Sequence, residues 1–371
     1  MKSALLVLED GTFFPGRAFG RDGEAIGEVA FNTAVFGFQE IVTDPASAGR
    51  LVAFAANTVG AAGTNALDME SEKAQARGVI VRTLSRVASN FRSTQPFDAF
   101  CEEQGVVGIA DVDTRALTIH LRETGAQMGA IVAGASAADV EAIVARIRAA
   151  TPYDQERLAA TVGVQEVQGV GLQETEDSFQ PLRVIRSSEL DVADGNEVVV
   201  VDLGASTSLL RQIADAGFQV TLVPASTSSA DILARKPTSV LVSPGPGSPA
   251  VLSDVVETVR GLLSRVTVVG VGLGCQVVAL AVGGEAYRIP SPNLGTNIPV
   301  RRTRDSICGV VEHRHTWGIR FPNPVEALEV SYTNVTTGAA EGFDLAPQSA
   351  YGIQHIPTDA KLLEVLSSAL A

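Results

Sequence analysis

Cys275 lies in the first turn of an apolar segment, LGCQVVALAVGG, and His313, His315 and His355 follow it in the C-terminal third of the chain. A thiolate with an imidazole as general base is equipment for acyl transfer. A helix N-terminus would favour that thiolate by about 0.3–1 kcal/mol. The simpler reading makes Cys275 a small buried apolar residue. His313 and His315 would share one face of a strand and could bind a metal. No carboxylate or third histidine stands at a recognisable spacing, so no metal site and no cofactor are expected. Gly245 and Gly247, in SVLVSPGPG, could form an oxyanion-type loop; without a nucleophile they read as turn geometry. The charged stretch Asp111–Arg115 reads as a helix start capped by Asp113.

The elements that would position these residues are clearest from residue 197 onward. VVVVDLG (198–204) reads as a fully buried strand ending in a turn. STSLLRQIADAG reads as a helix closing on Gly217, FQVTLVP as a strand, and SSADILARK as a helix with a serine cap. SVLVSPGPG runs from a strand into a stiff loop. A helix over 250–264, the strand VTVVGVG (266–272) and the helix of Cys275 follow. Strands alternating with helices at this spacing imply a parallel sheet covered on both faces. Sites in such sheets lie at the carboxyl ends of strands, which points to the loops Ser243–Pro249 and Val271–Gln276. Shorter strands are expected beyond 284, and a final helix from about Asp359.

The first 135 residues alternate short apolar runs with glycine-bearing turns. A helix is expected over Thr114–Glu123, with Leu117, Ile119 and Leu121 on one apolar face. A second is expected over 136–149, capped by Ser136, with a stripe of Val140, Ile143, Val144 and Ile147. Residues 151–195 carry the acidic run Glu174–Asp177 and little periodicity. They read as a linker holding a strand or two at most. The division is therefore 1–150, a linker over 151–195, and 196–371.

Composition narrows the function. The chain has 371 residues, 28 Lys and Arg against 42 Asp and Glu, and a formal net charge of −14. It has no basic field to collect phosphates, so nucleic acid is not an expected partner. Its apolar runs are strand length, so no membrane span is expected. The three cysteines, Cys101, Cys275 and Cys308, are far apart without a CxxC pair, which argues against a disulfide framework and for a reducing cytoplasm.

Four stretches of the first half, GEVAFNTAVFGFQEIVTDP (27–45), GTN (63–65), ASNFR (88–92) and IADVDTRALTIHLRETGAQMGAI (109–131), resemble the N-terminal domain of carbamoyl-phosphate synthetase small subunits. VVVVDLGA, VTLVPASTS, LVSPGPGSPA and VVGVGLGCQVVALAVGG resemble the class I glutamine amidotransferase domain joined to it. The resemblance implies an α/β protein. A mixed α/β small-subunit domain would precede an amidotransferase-like domain with a largely parallel central sheet. It also implies a partner, the large synthetase subunit, in a hetero-oligomer. In that family the small subunit hydrolyses glutamine and passes ammonia to the large one, which uses bicarbonate and ATP.

The same resemblance places the catalytic positions, and they are altered. The family's Gly-x-Cys-x-Gly-His-Gln corresponds to Gly270-Val271-Gly272-Leu273-Gly274-Cys275-Gln276, so the nucleophile position holds Gly272. Its Gln-Gly-His-Pro-Glu corresponds to Gln354-His355-Ile356-Pro357-Thr358, so Ile356 stands for the base and Thr358 for the orienting acid. Gly245, Gly247, Leu273 and Gln276 would be vestigial substrate-binding positions. Ala46 replaces a serine beside the Thr-Asp-Pro turn. A Gln-Asn-His-Gly-Phe stretch becomes His313-Arg314-His315-Thr316-Trp317, where Arg314, Thr316 and Trp317 would alter and fill the glutamine pocket. A His-His-Gly-Gly-Asn-His stretch becomes Asn293 to Ile298, without its histidines. The leading expectation is a subunit that keeps its docking domain but has lost glutamine hydrolysis, supporting a large subunit that uses free ammonia. The alternatives are an active glutaminase with Cys275 as relocated nucleophile, with His355 as a substitute base, and a pseudoenzyme holding a small ligand near Arg314 and Trp317.

Overall fold

The computed structural model describes residues 2–172, 182–186, 196–290 and 294–356. The chain divides into two compact units, Met1–Glu156 with Ile289–Thr296, and Arg157–Arg288 with Asn297–Ala371. The expected helix from Asp359, the acidic run at 174–177, Asn293 and Thr358 lie outside the described residues.

The first unit carries β1 (Ser3–Leu8), β2 (Phe13–Gly20), β3 (Glu24–Asn32), β4 (Arg50–Phe54), β5 (Thr58–Val59), β6 (Gly78–Ile80), β7 (Thr83–Leu84), β8 (Val107–Ala110) and β9 (Gln127–Ala133). Seven of them close into a barrel in the order β1-β2-β8-β6-β4-β3-β9. Pairing is parallel from β3 through β4 and β6 to β8, and antiparallel elsewhere around the ring. Closure leaves no free edge. Alternation along the strands divides the apolar residues. Leu51, Ala53 and Ile80 pack with Leu6, Leu8 and Ile131, whereas Val52, Phe54 and Val79 pack with Phe97 and Phe100.

Helices α1 (Phe38–Thr43), α2 (Phe97–Glu103), α3 (Thr114–Thr124) and α4 (Val140–Ala149) complete the unit. Asp113 caps α3, accepting from the Ala116 backbone N–H at 3.0 Å. Leu117 and Leu121 of α3 are buried, but Ile119 is 48% exposed. The expected three-residue face is therefore two residues wide. Two positions turn a helix by about 200°, so Ile119 points away from its neighbours. Ser136 and Asp139 bond to each other ahead of α4, with the Ser136 backbone N–H and hydroxyl donating to the Asp139 carboxylate at 2.8 and 2.9 Å. Ile143 and Ile147 supply the buried part of the α4 stripe.

The second unit runs α5 (Leu158–Val162), β10 (Gln168–Leu172), β11 (Leu182–Arg186), β12 (Glu197–Asp202), α6 (Thr207–Asp215), β13 (Gln219–Pro224), α7 (Ser229–Ala234), β14 (Ser239–Val242), α8 (Ser253–Leu262), β15 (Thr267–Val271) and α9 (Leu273–Ala281). It continues as β16 (Glu285–Arg288), β17 (Gly295–Arg302), β18 (Cys308–His313), β19 (Trp317–Arg320), β20 (Glu329–Asn334), β21 (Ala340–Leu345) and β22 (Ala350–Ile353), the first two residues of β17 belonging to the other unit. The sheet order is β11-β10-β13-β12-β14-β15-β22-β21-β20-β17-β18, with β16 and β19 joined beside β21. The five central strands, β13-β12-β14-β15-β22, are parallel. From the segment read as a linker holding a strand or two, β10 joins β13 antiparallel and β11 joins β10 antiparallel, extending the sheet.

Both faces of the parallel strands are covered. Val199, Val201, Val240, Val242 and Val268 pack on one face with α8 and α9, and Val198, Val200, Leu241, Val269 and Val271 on the other with α6. Each fully buried side chain of this size contributes roughly 1.5–3 kcal/mol by leaving water. The cap of α7 is Ser228, which accepts from the Asp231 backbone N–H at 3.1 Å. Among the described residues no helix is long and apolar enough to cross a membrane.

Candidate functional site

The carboxyl ends of β14, β15 and β22 converge on Gly272. That residue follows β15 directly and is the N-cap of α9, with φ 56° and ψ −117°. Side chains rarely adopt this backbone region, where strain costs about 1–3 kcal/mol. Glycine relieves it. The turn is held by Gly272 N–H donating to the Ile353 carbonyl at 2.8 Å and by Gly274 N–H donating to the Ser243 carbonyl at 3.1 Å. A Cβ at Gly272 would meet Pro244 Cβ at 3.3 Å and face the Gln354 carbonyl oxygen at 3.9 Å. The elbow therefore presents position 272 to the Pro244 loop and the end of β22, and no reactive atom is there.

The Pro244 loop is set by backbone contact. A Cβ at Gly245 would lie 2.1 Å from the Leu203 carbonyl oxygen, so glycine lets two chains touch. The Ser243 hydroxyl accepts from Leu203 N–H at 2.8 Å and donates to the Pro244 carbonyl at 2.9 Å. Gly247 has φ 92°. At the end of β12, Asp202 accepts from Gly204, Ala205 and Val164 N–H groups at 2.8–2.9 Å. Burial raises its pKa in spite of those bonds.

Behind the elbow the polar side chains bond to one another. Gln276 is buried, and its amide donates to the Trp317 carbonyl at 3.0 Å and to the Gln354 side-chain oxygen at 3.2 Å. Leu273 is buried in the apolar cluster of α8 and α9. Both residues, read from sequence as vestigial substrate-binding positions, are committed to internal contacts. Ile356 packs with Val269, Val271 and Tyr351 on the α6 face of the sheet. Its backbone N–H donates to the Glu312 carbonyl at 3.0 Å. His355 instead lies edge-on to Tyr332, ring centroids 5.1 Å apart. The two neighbours thus face different surroundings, as alternation along an extended chain requires.

Cys275 is fully buried on the α8–α9 face, the opposite side of the sheet from the Ile356 cluster. Burial, and secondarily the charge of Glu341, push its thiol well above the ordinary range. It packs against Gly352, where an added Cβ would approach its sulfur within 2.7 Å.

The stretch His313 to Trp317, read from sequence as altering and filling the glutamine pocket, makes internal contacts. The Arg314 guanidinium is clamped by the Glu312 carboxylate, Nε and one terminal nitrogen donating at 2.7 and 3.1 Å. A guanidinium spent on a carboxylate two residues away is a poor anchor for a ligand. Thr316 is buried. The Trp317 carbonyl accepts from both Gln276 and His315. Ala46 is buried in the first unit, in a short turn where its N–H donates to Asp44 at 2.7 Å. Local sequence spacing offers no carboxylate for the His313–His315 pair. Glu341 of β21 supplies one, 3.2 Å from His313 Nε2 and 3.7 Å from His315 Nε2. No local spacing could reveal it, because β21 reaches the histidines only through sheet assembly.

Residues 6–131 match the family described as carbamoyl-phosphate synthase small chain, CPSase domain, and residues 199–357 match glutamine amidotransferase class-I. The chain is 34% identical over 358 residues to the carbamoyl phosphate synthase small chain of Escherichia coli K12, covering 96% of this chain and 92% of that one. It is 36% identical over 361 residues to the protein of the same name from Vibrio vulnificus YJ016, covering 96% and 93%. A solved structure of a glutamine amidotransferase from Thermotoga maritima aligns with 47% of this chain and 81% of its own, at 15% identity and a TM-score of 0.35.

Proposed function

The chain belongs to the carbamoyl-phosphate synthase small-chain family, and from that premise we propose that it is a small subunit without glutamine hydrolysis, one that supports a large synthetase subunit working on free ammonia. The observation that carries this reading is Gly272. The family resemblance assigns the nucleophile to that position, and the backbone there has the sharp, positive-φ turn that would expose one. A hydrogen atom cannot attack an amide. The assigned base, Ile356, takes no proton and packs in an apolar cluster. The assigned acid position holds Thr358.

A retained docking role is supported by the first unit. Val35 and Phe36 are 70% and 69% exposed, Val87 is 67% exposed and Phe91 is 97% exposed. Val35 and Phe36 line a recess of about 250 Å³ together with Asn90 and Arg92. Exposed apolar residues grouped around a recess suit a protein contact. These residues fall within or beside the stretches that carry the family resemblance.

The alternative nucleophile, Cys275, is opposed by its surroundings. It is a neutral thiol on the apolar side of α9, and a thiolate is the species that attacks. The alternative of a ligand at Arg314 is opposed by the Glu312 clamp. The test is a reconstitution with a matched large chain. Carbamoyl phosphate formation should proceed with ammonium chloride, be raised by this chain, and show no response to glutamine. Glutamine consumption that scales with this chain would overturn the proposal.

A further inference from the structure

His313 ends β18, His315 lies two residues on, and Glu341 is the second residue of β21. All three are buried, at 5%, 8% and 3% exposure. Their ligand-type atoms, one per residue, lie within 4.8 Å of one another. The imidazole rings are 4.7 Å apart and tilted by 42°.

The hydrogen-bond accounting at this cluster does not close. His315 Nδ1 is 2.8 Å from the Trp317 carbonyl oxygen. A carbonyl only accepts, so Nδ1 carries the hydrogen. In a neutral ring Nε2 is then a bare lone pair, and it faces Glu341 Oε2 at 3.7 Å. The other carboxylate oxygen is engaged, accepting from the Asn334 amide at 3.0 Å. His313 Nε2, His315 Nε2 and Glu341 Oε2 are each buried without a hydrogen bond of normal geometry. His315 Nε2 and Glu341 Oε2 are then two acceptors turned toward one another in a dry interior, and they repel unless something positive sits between them.

We infer that His313, His315 and Glu341 form a binding site for a zinc-class divalent cation. The separations of 3.2 and 3.7 Å bracket the edge of a tetrahedron built on bonds of about 2.0–2.1 Å, which is about 3.4 Å. Two imidazoles and one carboxylate suit Zn²⁺ rather than Mg²⁺ or Ca²⁺, which prefer oxygen alone. The outer contacts have the right sense as well. The Trp317 carbonyl fixes the His315 tautomer that leaves Nε2 free to ligate, and Asn334 fixes the carboxylate. Three ligands leave the fourth position for water. The ion would clip the His313–Trp317 turn to β21, a role independent of any glutamine chemistry.

The test uses the full chain carrying no histidine tag, grown with added zinc sulfate. Elemental analysis should find about one zinc per chain, falling to near zero in Glu341→Gln and in His315→Ala. Because either variant could fail to fold, the wild-type chain is also stripped with a chelator and retitrated. Zn²⁺ at a hundredfold excess over Kd should raise its melting temperature by about 5–10 °C, and Mg²⁺ should not. Co²⁺ should give the intense visible absorption of a tetrahedral site. Wild-type chain that holds no zinc and shows no shift with Zn²⁺ would overturn the site and leave a proton as the shared cation. Zinc retained by folded Glu341→Gln would overturn it too.

Discussion

Replacing Gly272 by alanine tests whether the elbow still holds the backbone a nucleophile would need. Residue 272 has φ 56° and ψ −117°. Forcing a side chain into such a region costs about 1–3 kcal/mol. The new Cβ also meets Pro244 at 3.3 Å, tighter than ordinary contact, in a loop held by Ser243. Opposing this, any Gly→Ala change stiffens the unfolded chain and stabilises by about 0.4–1 kcal/mol. That opposing effect is removed by comparison with Gly309→Ala, since Gly309 lies on β18 with open space around its Cβ position and an ordinary φ. The difference between the two variants should be the backbone strain together with the Pro244 contact. At about 2–4 °C per kcal/mol for a unit of this size, Gly272→Ala should melt roughly 2–12 °C below Gly309→Ala. Differential scanning fluorimetry or calorimetry reads it. Equal melting temperatures would refute the claim that the elbow is a strained turn relaxed by glycine.

Three further outcomes are expected. Ellman's reagent should titrate one thiol in the native chain, the exposed Cys308, and reach the buried Cys101 and Cys275 only on unfolding; rapid labelling of two or more native thiols would contradict the burial. On α3, Leu117→Ala should cost about 2–5 kcal/mol and Ile119→Ala at most about 0.5 kcal/mol, by denaturant midpoint, because Leu117 is fully buried and Ile119 is 48% exposed. Burial raises the Asp10 carboxyl, but hydrogen bonds from the Thr12 backbone, His120 and Gln127 outweigh it and hold its pKa at about 2. Since the folded value lies below the unfolded 3.8, the stability Asp10 adds is present above pH 3.8 and lost as pH falls toward 2. Asp10→Asn should therefore melt below wild type at neutral pH, with the gap closing between pH 4 and 2; a constant gap would be inconsistent with that origin.

The sequence displays whatever is decided locally. The run Val198–Val201 announces a strand buried on both faces, and it is fully buried. Asp113 and Ser228 cap the helices their positions imply. The glycine-rich junction between β15 and α9 reads directly as a turn. What stays hidden is decided by distant pairing. Ring closure of the first unit depends on β1 meeting β9 and on β2 meeting β8, and no local pattern encodes either pairing. A strand or two can be read in residues 151–195, but not that β10 would join β13 and that β11 would join β10. Ile119 departs from the expected face for a different reason: two positions turn a helix by about 200°, so it cannot share a face with Leu117 and Leu121. Glu341 stays invisible because only the sheet order sets β21 against the His313 turn.

The packing of Ile356 makes the path back to catalysis steep. A histidine at that position would bring a polar ring into the cluster of Val269 and Val271, at a cost of about 1–3 kcal/mol if its nitrogens go unpaired. A cysteine at position 272 would meet the strain glycine now relieves. On the proposed reading, either reversion alone lowers stability and restores no reaction, so neither is favoured as a first step. The apolar cluster then acts as a ratchet: drift could carry the lineage away from hydrolysis one residue at a time, but return would require several changes at once.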